Sequence, residues 1–144
     1  MTPECEGIFD SHAHYFDARF EREARGGADE ILHTVLQKTV KYIVNVGTNP
    51  QTSRAAIRQA ERYEGMYAAV GIHPEDCHFL NEADALADLE AMIRDPAERQ
   101  RQKIVALGEI GLDYHAERFG TVPIDRVKEK RVFEAQLELA HQHG

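Results

Sequence analysis

Short unbroken apolar runs alternate with apolar positions spaced three and four residues apart, and the alternation recurs along the whole chain. The runs are Ile8-Phe9-Asp10, Tyr42-Ile43-Val44-Asn45-Val46, Met66-Tyr67-Ala68-Ala69-Val70 and Ile104-Val105-Ala106-Leu107. The second is β-branched and bounded by glycine, and the four-residue run from Ile104 suits a strand covered on both faces. Between the runs, Leu32, Val35, Leu36 and Val40, widened by Ile31, predict a helix from Ala28 to about Val40. Ala56, Ile57, Ala60 and Tyr63 predict a second from Gln51 to Tyr63, opened by Asn49-Pro50 and stopped by Gly65. A third follows a cap at Asn81, with Leu86, Leu89 and Ile93 buried, until Asp95-Pro96 breaks it. The polar run to Gln102 allows one further helical turn. A fourth helix, capped by Asp125, would bury Phe133, Leu137 and Ala140. The polar stretch from Ser11 to Gly27 reads as a long loop, and another loop passes Gly120 and Pro123.

Strand-helix repeats without hairpin turns imply a parallel sheet with right-handed crossovers. Two architectures satisfy this, a closed barrel and an open doubly wound sheet. An open nucleotide-binding sheet usually carries a Gly-rich phosphate loop after its first strand, and none is present. Polar residues instead follow strands one, three and four, at the ends where a (β/α)₈ barrel builds its site. Such barrels need about 250 residues, so these 144 residues read as the first half of a TIM-type barrel.

With 42% apolar residues the chain can bury one core. Cys5 and Cys77 lie outside any C-x-x-C pattern and are expected to be free thiols. No signal peptide is visible, and the apolar runs fall far short of the roughly 20 residues a membrane span requires. The expectation is a soluble, cytoplasmic protein with no membrane partner. A net charge of −8 repels polyanions, so a phosphate substrate would need cations held in the site.

The chemistry gathers at strand ends. His12 and His14 are two apart, and extended backbone turns both imidazoles to one face. With 8 histidines in 144 residues, chance supplies about 0.4 such pairs, so spacing alone decides little. Glu109 follows the fourth strand, between Gly108 and Gly111, and both strands of a barrel open on one rim. Two imidazoles and a carboxylate suit zinc or manganese, and added carboxylates and waters admit magnesium. Glu109 could bridge two ions; its bland alternatives are a solvated loop acid or a cap. His73, held extended by Pro74, could bind metal, donate to a substrate oxygen, or simply bond a backbone carbonyl. Asp113 and His115 could orient ligands or be surface residues, and Asp10 could support the histidine pair. Arg126, Lys128, Lys130 and Arg131 read most simply as a solvated helix face, with phosphate contact by Lys130 or Arg131 as the alternative. No nucleophile elbow, Ser/His/Asp arrangement or P-loop is readable.

Phe9-Asp-Ser-His-Ala-His14, Ile43-Val-Asn-Val-Gly47, Ala69-Val-Gly-Ile-His-Pro74, Ala106-Leu-Gly-Glu-Ile-Gly-Leu-Asp-Tyr114 and Phe133-Glu-Ala-Gln-Leu-Glu-Leu-Ala140 together resemble the TatD family of metal-dependent deoxyribonucleases. The resemblance implies a (β/α)₈ barrel of the metallo-dependent hydrolase type that cleaves DNA phosphodiester bonds with divalent ions, magnesium, manganese or zinc. It implies that His12 and His14 bind one ion, that Glu109 bridges two, and that His73 lies on the substrate side. The family's further ligands, two histidines and an aspartate, come from later strands. Residues 1–144 are therefore expected to be the N-terminal half of one barrel, truncated at the C-terminus; self-association of half-barrels is the alternative. Two other functions stay open: hydrolysis of another ester or a cyclic amide, and an inactive half-barrel.

Overall fold

The computed structural model describes residues 7–120 and 124–144. Its elements are β1 (Ile8–Ala13), α1 (Ala18–Glu23), α2 (Gly27–Lys38), β2 (Val40–Val46), α3 (Pro50–Arg62), β3 (Met66–Val70), α4 (Glu82–Ile93), α5 (Pro96–Arg101), β4 (Ile104–Leu107) and α6 (Arg126–His143). Tight 3₁₀ turns occupy Asp76–Phe79 and His115–Phe119. All strand pairings are parallel, and the order is β1-β2-β3-β4. Sequential order without a reversal is the geometry of a barrel wall, whereas a doubly wound sheet needs a switch point.

The core lies between the sheet and its helices. Ile43, Met66, Ala68 and Val70 are fully buried against Ala56, Ile57 and Ala60 of α3. Alanines at the contact let helix and strand approach closely. Asn49 starts α3 by accepting from Thr52 N–H while the Thr52 hydroxyl accepts from Asn49 N–H, and Pro50 takes the first helical position. Alternate residues face the other way. Phe9, Tyr42 and Val105 remain at least half exposed, and Phe9, Tyr42 and Tyr67 form an aromatic row with ring centroids 6.5 and 6.3 Å apart. A groove of about 460 Å³ follows the free edge of β4, lined by Tyr67, Ile93, Val105, Leu107 and Ala140.

Several expectations change. Val40 belongs to β2, paired with Ile8, because Thr39 leaves helical geometry and ends α2. The first strand runs on to Ala13, so His12 is a strand residue. The expected loop contains α1, six residues with none buried, which therefore carries no apolar stripe; Asp17 caps it by accepting from Arg19 N–H. The Arg19 guanidinium beside Asp17 holds that carboxyl down at about 2. On α6 the buried face is Glu129, Val132 and Gln136, not Phe133, Leu137 and Ala140. Leu137 and Ala140 are exposed and Phe133 is half-buried, because buried polar partners rotate the helix by about one position. Cys77 is free and buried. The expectations for Cys5 and Pro123 fall outside the described residues.

Candidate metal centre

Pairing between β1 and β2 slips next to the histidines. Asp10 faces Ile43 and Ala13 faces Asn45, so three steps on β1 oppose two on β2. Such a bulge bends a strand and re-aims its side chains. Asp10 steadies the turn by accepting from His12 N–H at 3.3 Å. The imidazoles then converge, with the two Nε2 atoms 3.2 Å apart.

His14 Nδ1 lies 2.6 Å from the Val46 carbonyl oxygen, which can only accept. Nδ1 therefore carries the proton, and Nε2 presents a lone pair to the rim. The following residue is clamped: Tyr15 N–H donates to Asn45 Oδ1 at 2.9 Å, Gln59 Nε2 donates to Tyr15 O at 3.1 Å, and Asn45 Nδ2 bridges to Gln59 Oε1 at 2.7 Å. Burial and the Asp10 charge push the Tyr15 hydroxyl pKa upward, so it stays neutral.

Glu109 arrives from the other side of the sheet. Gly108 N–H donates to Val70 O at 2.8 Å, and Glu109 N–H to Gly47 O at 3.1 Å, which ties the turn to the ends of β3 and β2. Gly71 permits this approach, since a Cβ there would lie 2.6 Å from the Gly108 carbonyl carbon. Glu109 Oε2 sits 3.2 Å from His12 Nε2 and 3.8 Å from His14 Nε2. Ligand atoms about 2.0–2.2 Å from a common ion stand roughly 3–4 Å apart, and among the described residues His12, His14 and Glu109 are the group that meets this spacing.

His73 has the opposite polarity. Its N–H is held by Thr48 O at 2.7 Å, and its Nδ1 accepts from Glu75 N–H at 3.1 Å. A neutral ring must then carry its proton on Nε2, which faces Glu109 Oε1 at 3.4 Å. In that tautomer His73 donates and does not ligate.

The other candidates do local work. Asp113 caps its own turn by accepting from His115 N–H at 2.7 Å, and His115 is exposed against Phe119. Arg126 pairs with Glu117, Arg131 with Glu82 and Lys130 with Glu134, while Lys128 donates to Leu80 O. No motif or spacing in the sequence singles out Asn45, Gln59, Glu129 or Gln136 as parts of the site. A polar Asn45 inside an apolar run was the one available signal of a buried network.

Residues 9–144 match the family model described as TatD related DNase. The chain belongs to this family. Similar TatD relatives include the uncharacterized metal-dependent hydrolase YabD of Bacillus subtilis, 33% identical over 94% of this chain and 47% of that protein. The 3'-5' ssDNA/RNA exonuclease TatD of Edwardsiella piscicida is 37% identical over 83% of this chain and 42% of that protein. The crystal structure of the TatD homolog YjjV from Escherichia coli superposes with a TM-score of 0.72 at 26% identity, covering 94% of this chain and 47% of that one. An uncharacterized amidohydrolase from Saccharomyces cerevisiae shares the fold, with a TM-score of 0.64 at 24% identity over 93% and 44%. The chain thus spans about half the length of the TatD relatives it matches, and its sheet is the first half of a TIM-type barrel.

Proposed function

We propose that the protein is a divalent-metal-dependent hydrolase, and specifically a nuclease that cleaves phosphodiester bonds in DNA. One observation carries this: two imidazole nitrogens and a carboxylate oxygen converge at the sheet's C-terminal rim, with His14 fixed in the tautomer that leaves Nε2 free. His12, His14 and Glu109 would hold the ion, of the magnesium, manganese or zinc class, and Glu109 Oε1, which His73 Nε2 faces at 3.4 Å, would reach toward a second. A divalent ion bound there would lower the pKa of its water toward neutrality and offset charge on a phosphoryl oxygen. The chain's own groups do the rest. His73 directs an Nε2–H into the site and orients a substrate oxygen. The Edwardsiella exonuclease at 37% identity supports nucleic acid as the substrate.

The aromatic row and the groove along β4 support a further reading, that this chain is the N-terminal half of one barrel and a following segment covers that face. Self-association of two copies is the alternative occupant of that face. Among the described residues no helix is long and apolar enough to cross a membrane, and free Cys77 fits a reducing compartment such as the cytoplasm.

The test is cleavage of single-stranded DNA by the full-length protein with magnesium or manganese. Cleavage that stops on chelation and in the His12→Ala, Glu109→Ala double variant is expected; cleavage untouched by both overturns the proposal. A second reading, hydrolysis of a smaller ester or cyclic amide, is favoured by the net charge of −8 and by the acids that occupy Arg126, Lys130 and Arg131. A substrate panel on the same protein separates the two.

A further inference from the structure

We propose that α6 sets the positions of His73 and Glu109, with Gln136 and Glu129 as its two positioning residues. The inference rests on the functional reading above only for what those two residues do. Gln136 is fully buried and grips the residue before His73 by both backbone groups: Ile72 N–H donates to Oε1 at 2.7 Å and Nε2 donates to Ile72 O at 3.1 Å. Two turns earlier on the same face, the buried Glu129 Oε1 accepts from Asp113 N–H at 2.5 Å, in the segment that leaves Glu109. Its Oε2 lies 3.4 Å from Nε2 of the buried His78, in the turn that follows His73.

A buried amide or carboxylate costs free energy unless it is bonded, so an apolar residue would serve simple packing with less risk. What these two supply is partners for backbone groups in loops that no sheet or helix ladder satisfies. Because they stand on one rigid helix, the loop carrying His73 and the loop carrying Glu109 keep a common frame. His12, on β1, and His14, just past its end, are outside it. That asymmetry makes the proposal testable.

The experiment compares Gln136→Met and Glu129→Met, close in size and without the bonds, with Glu129→Gln, which keeps an oxygen for Asp113 N–H. Three readouts are taken on each folded protein: the ¹⁵N signals of the His73 ring, the exchange rate of the Asp113 amide, and Mn²⁺ affinity by titration calorimetry. In Gln136→Met the His73 ring should lose its single tautomer while Mn²⁺ affinity stays within about threefold. In Glu129→Met the Asp113 amide should exchange faster and Mn²⁺ affinity should fall about tenfold, the usual effect of removing a group that supports a ligand. Glu129→Gln should recover most of both. Equal loss of Mn²⁺ affinity and melting temperature in both Met variants overturns the proposal, as does a His73 or Asp113 signal that does not move. If the unsubstituted protein binds no Mn²⁺, the metal reading fails by itself, and the His73 and Asp113 signals still decide the role of α6.

Discussion

His14 and His73 leave the sheet at the same rim, two strands apart, and both point Nε2 at Glu109. Their other nitrogens meet opposite partners. The Val46 carbonyl accepts a hydrogen bond from His14 Nδ1–H, whereas the Glu75 N–H donates one to His73 Nδ1. One ring therefore offers a lone pair and the other a proton, although residue type, rim and neighbour are shared. The backbone group behind each ring sets whether its Nε2 accepts or donates.

Removing the lone-pair side should do the most damage. His12→Ala with His14→Ala is expected to abolish measurable Mn²⁺ binding by the protein. Hydrolysis should fall on the order of 10³-fold, corresponding to the several kcal/mol a metal supplies. Removing the donor side should separate the two roles. His73→Ala is expected to lower hydrolysis about 10²-fold, the effect of losing one oriented donor, with Mn²⁺ affinity within about threefold of the parent. His73→Gln, which keeps an N–H, should recover part of the rate. A parallel fall in Mn²⁺ affinity would erase the distinction, since it would make His73 a ligand too.

Much of this was readable from residue order. Met66–Val70 runs as its apolar pattern predicts, and Asn49-Pro50 opens α3 as a cap and first position should. His12, His14 and Glu109 were legible because each sits at the end of a recognisable strand, where the fold has only one rim to offer. For His73 the residue order leaves metal binding, donation and a carbonyl bond all open, because the choice depends on a backbone N–H two residues away whose direction no side chain encodes. Glu129 and Gln136 were hidden for a related reason: on a helix where Phe133, Leu137 and Ala140 predict the buried face, polar residues read as the solvent face, and only long-range partners at Asp113 and Ile72 reverse that. The short α1 had no buried residue to announce it.

On the His14 side, the Asn45–Gln59 clamp offers a stability test. Asn45 is fully buried, and Asn45→Ala leaves Tyr15 N–H and Gln59 Oε1 without their partner. A loss of about 2–3 kcal/mol is expected in denaturant unfolding, the cost of stranding buried polar groups. Mn²⁺ affinity should weaken as well, because Tyr15 follows His14. If instead stability drops and affinity holds, the bulge alone orients His14.

The smallest effect belongs to the His73 side, and it reports how dry that corner is. Cys77 N–H donates to His73 O at 3.1 Å, and the Cys77 thiol is buried beneath the turn. Burial first, and the Glu129 charge second, push its pKa up to about 11 from an ordinary value of 9.0. Between those values the unfolded chain releases the thiol proton and the folded chain keeps it. The thiol's share of stability is therefore complete below about pH 9 and is lost as pH rises through about 11. Unfolding measured across that window should show an alkaline decline that is shallower in Cys77→Ala, and iodoacetamide at pH 8 should label Cys77 only once the protein is unfolded. Rapid labelling of the folded protein would mean that water reaches the turn under His73, and the contrast between a braced donor and a strand-held ligand would lose half its basis.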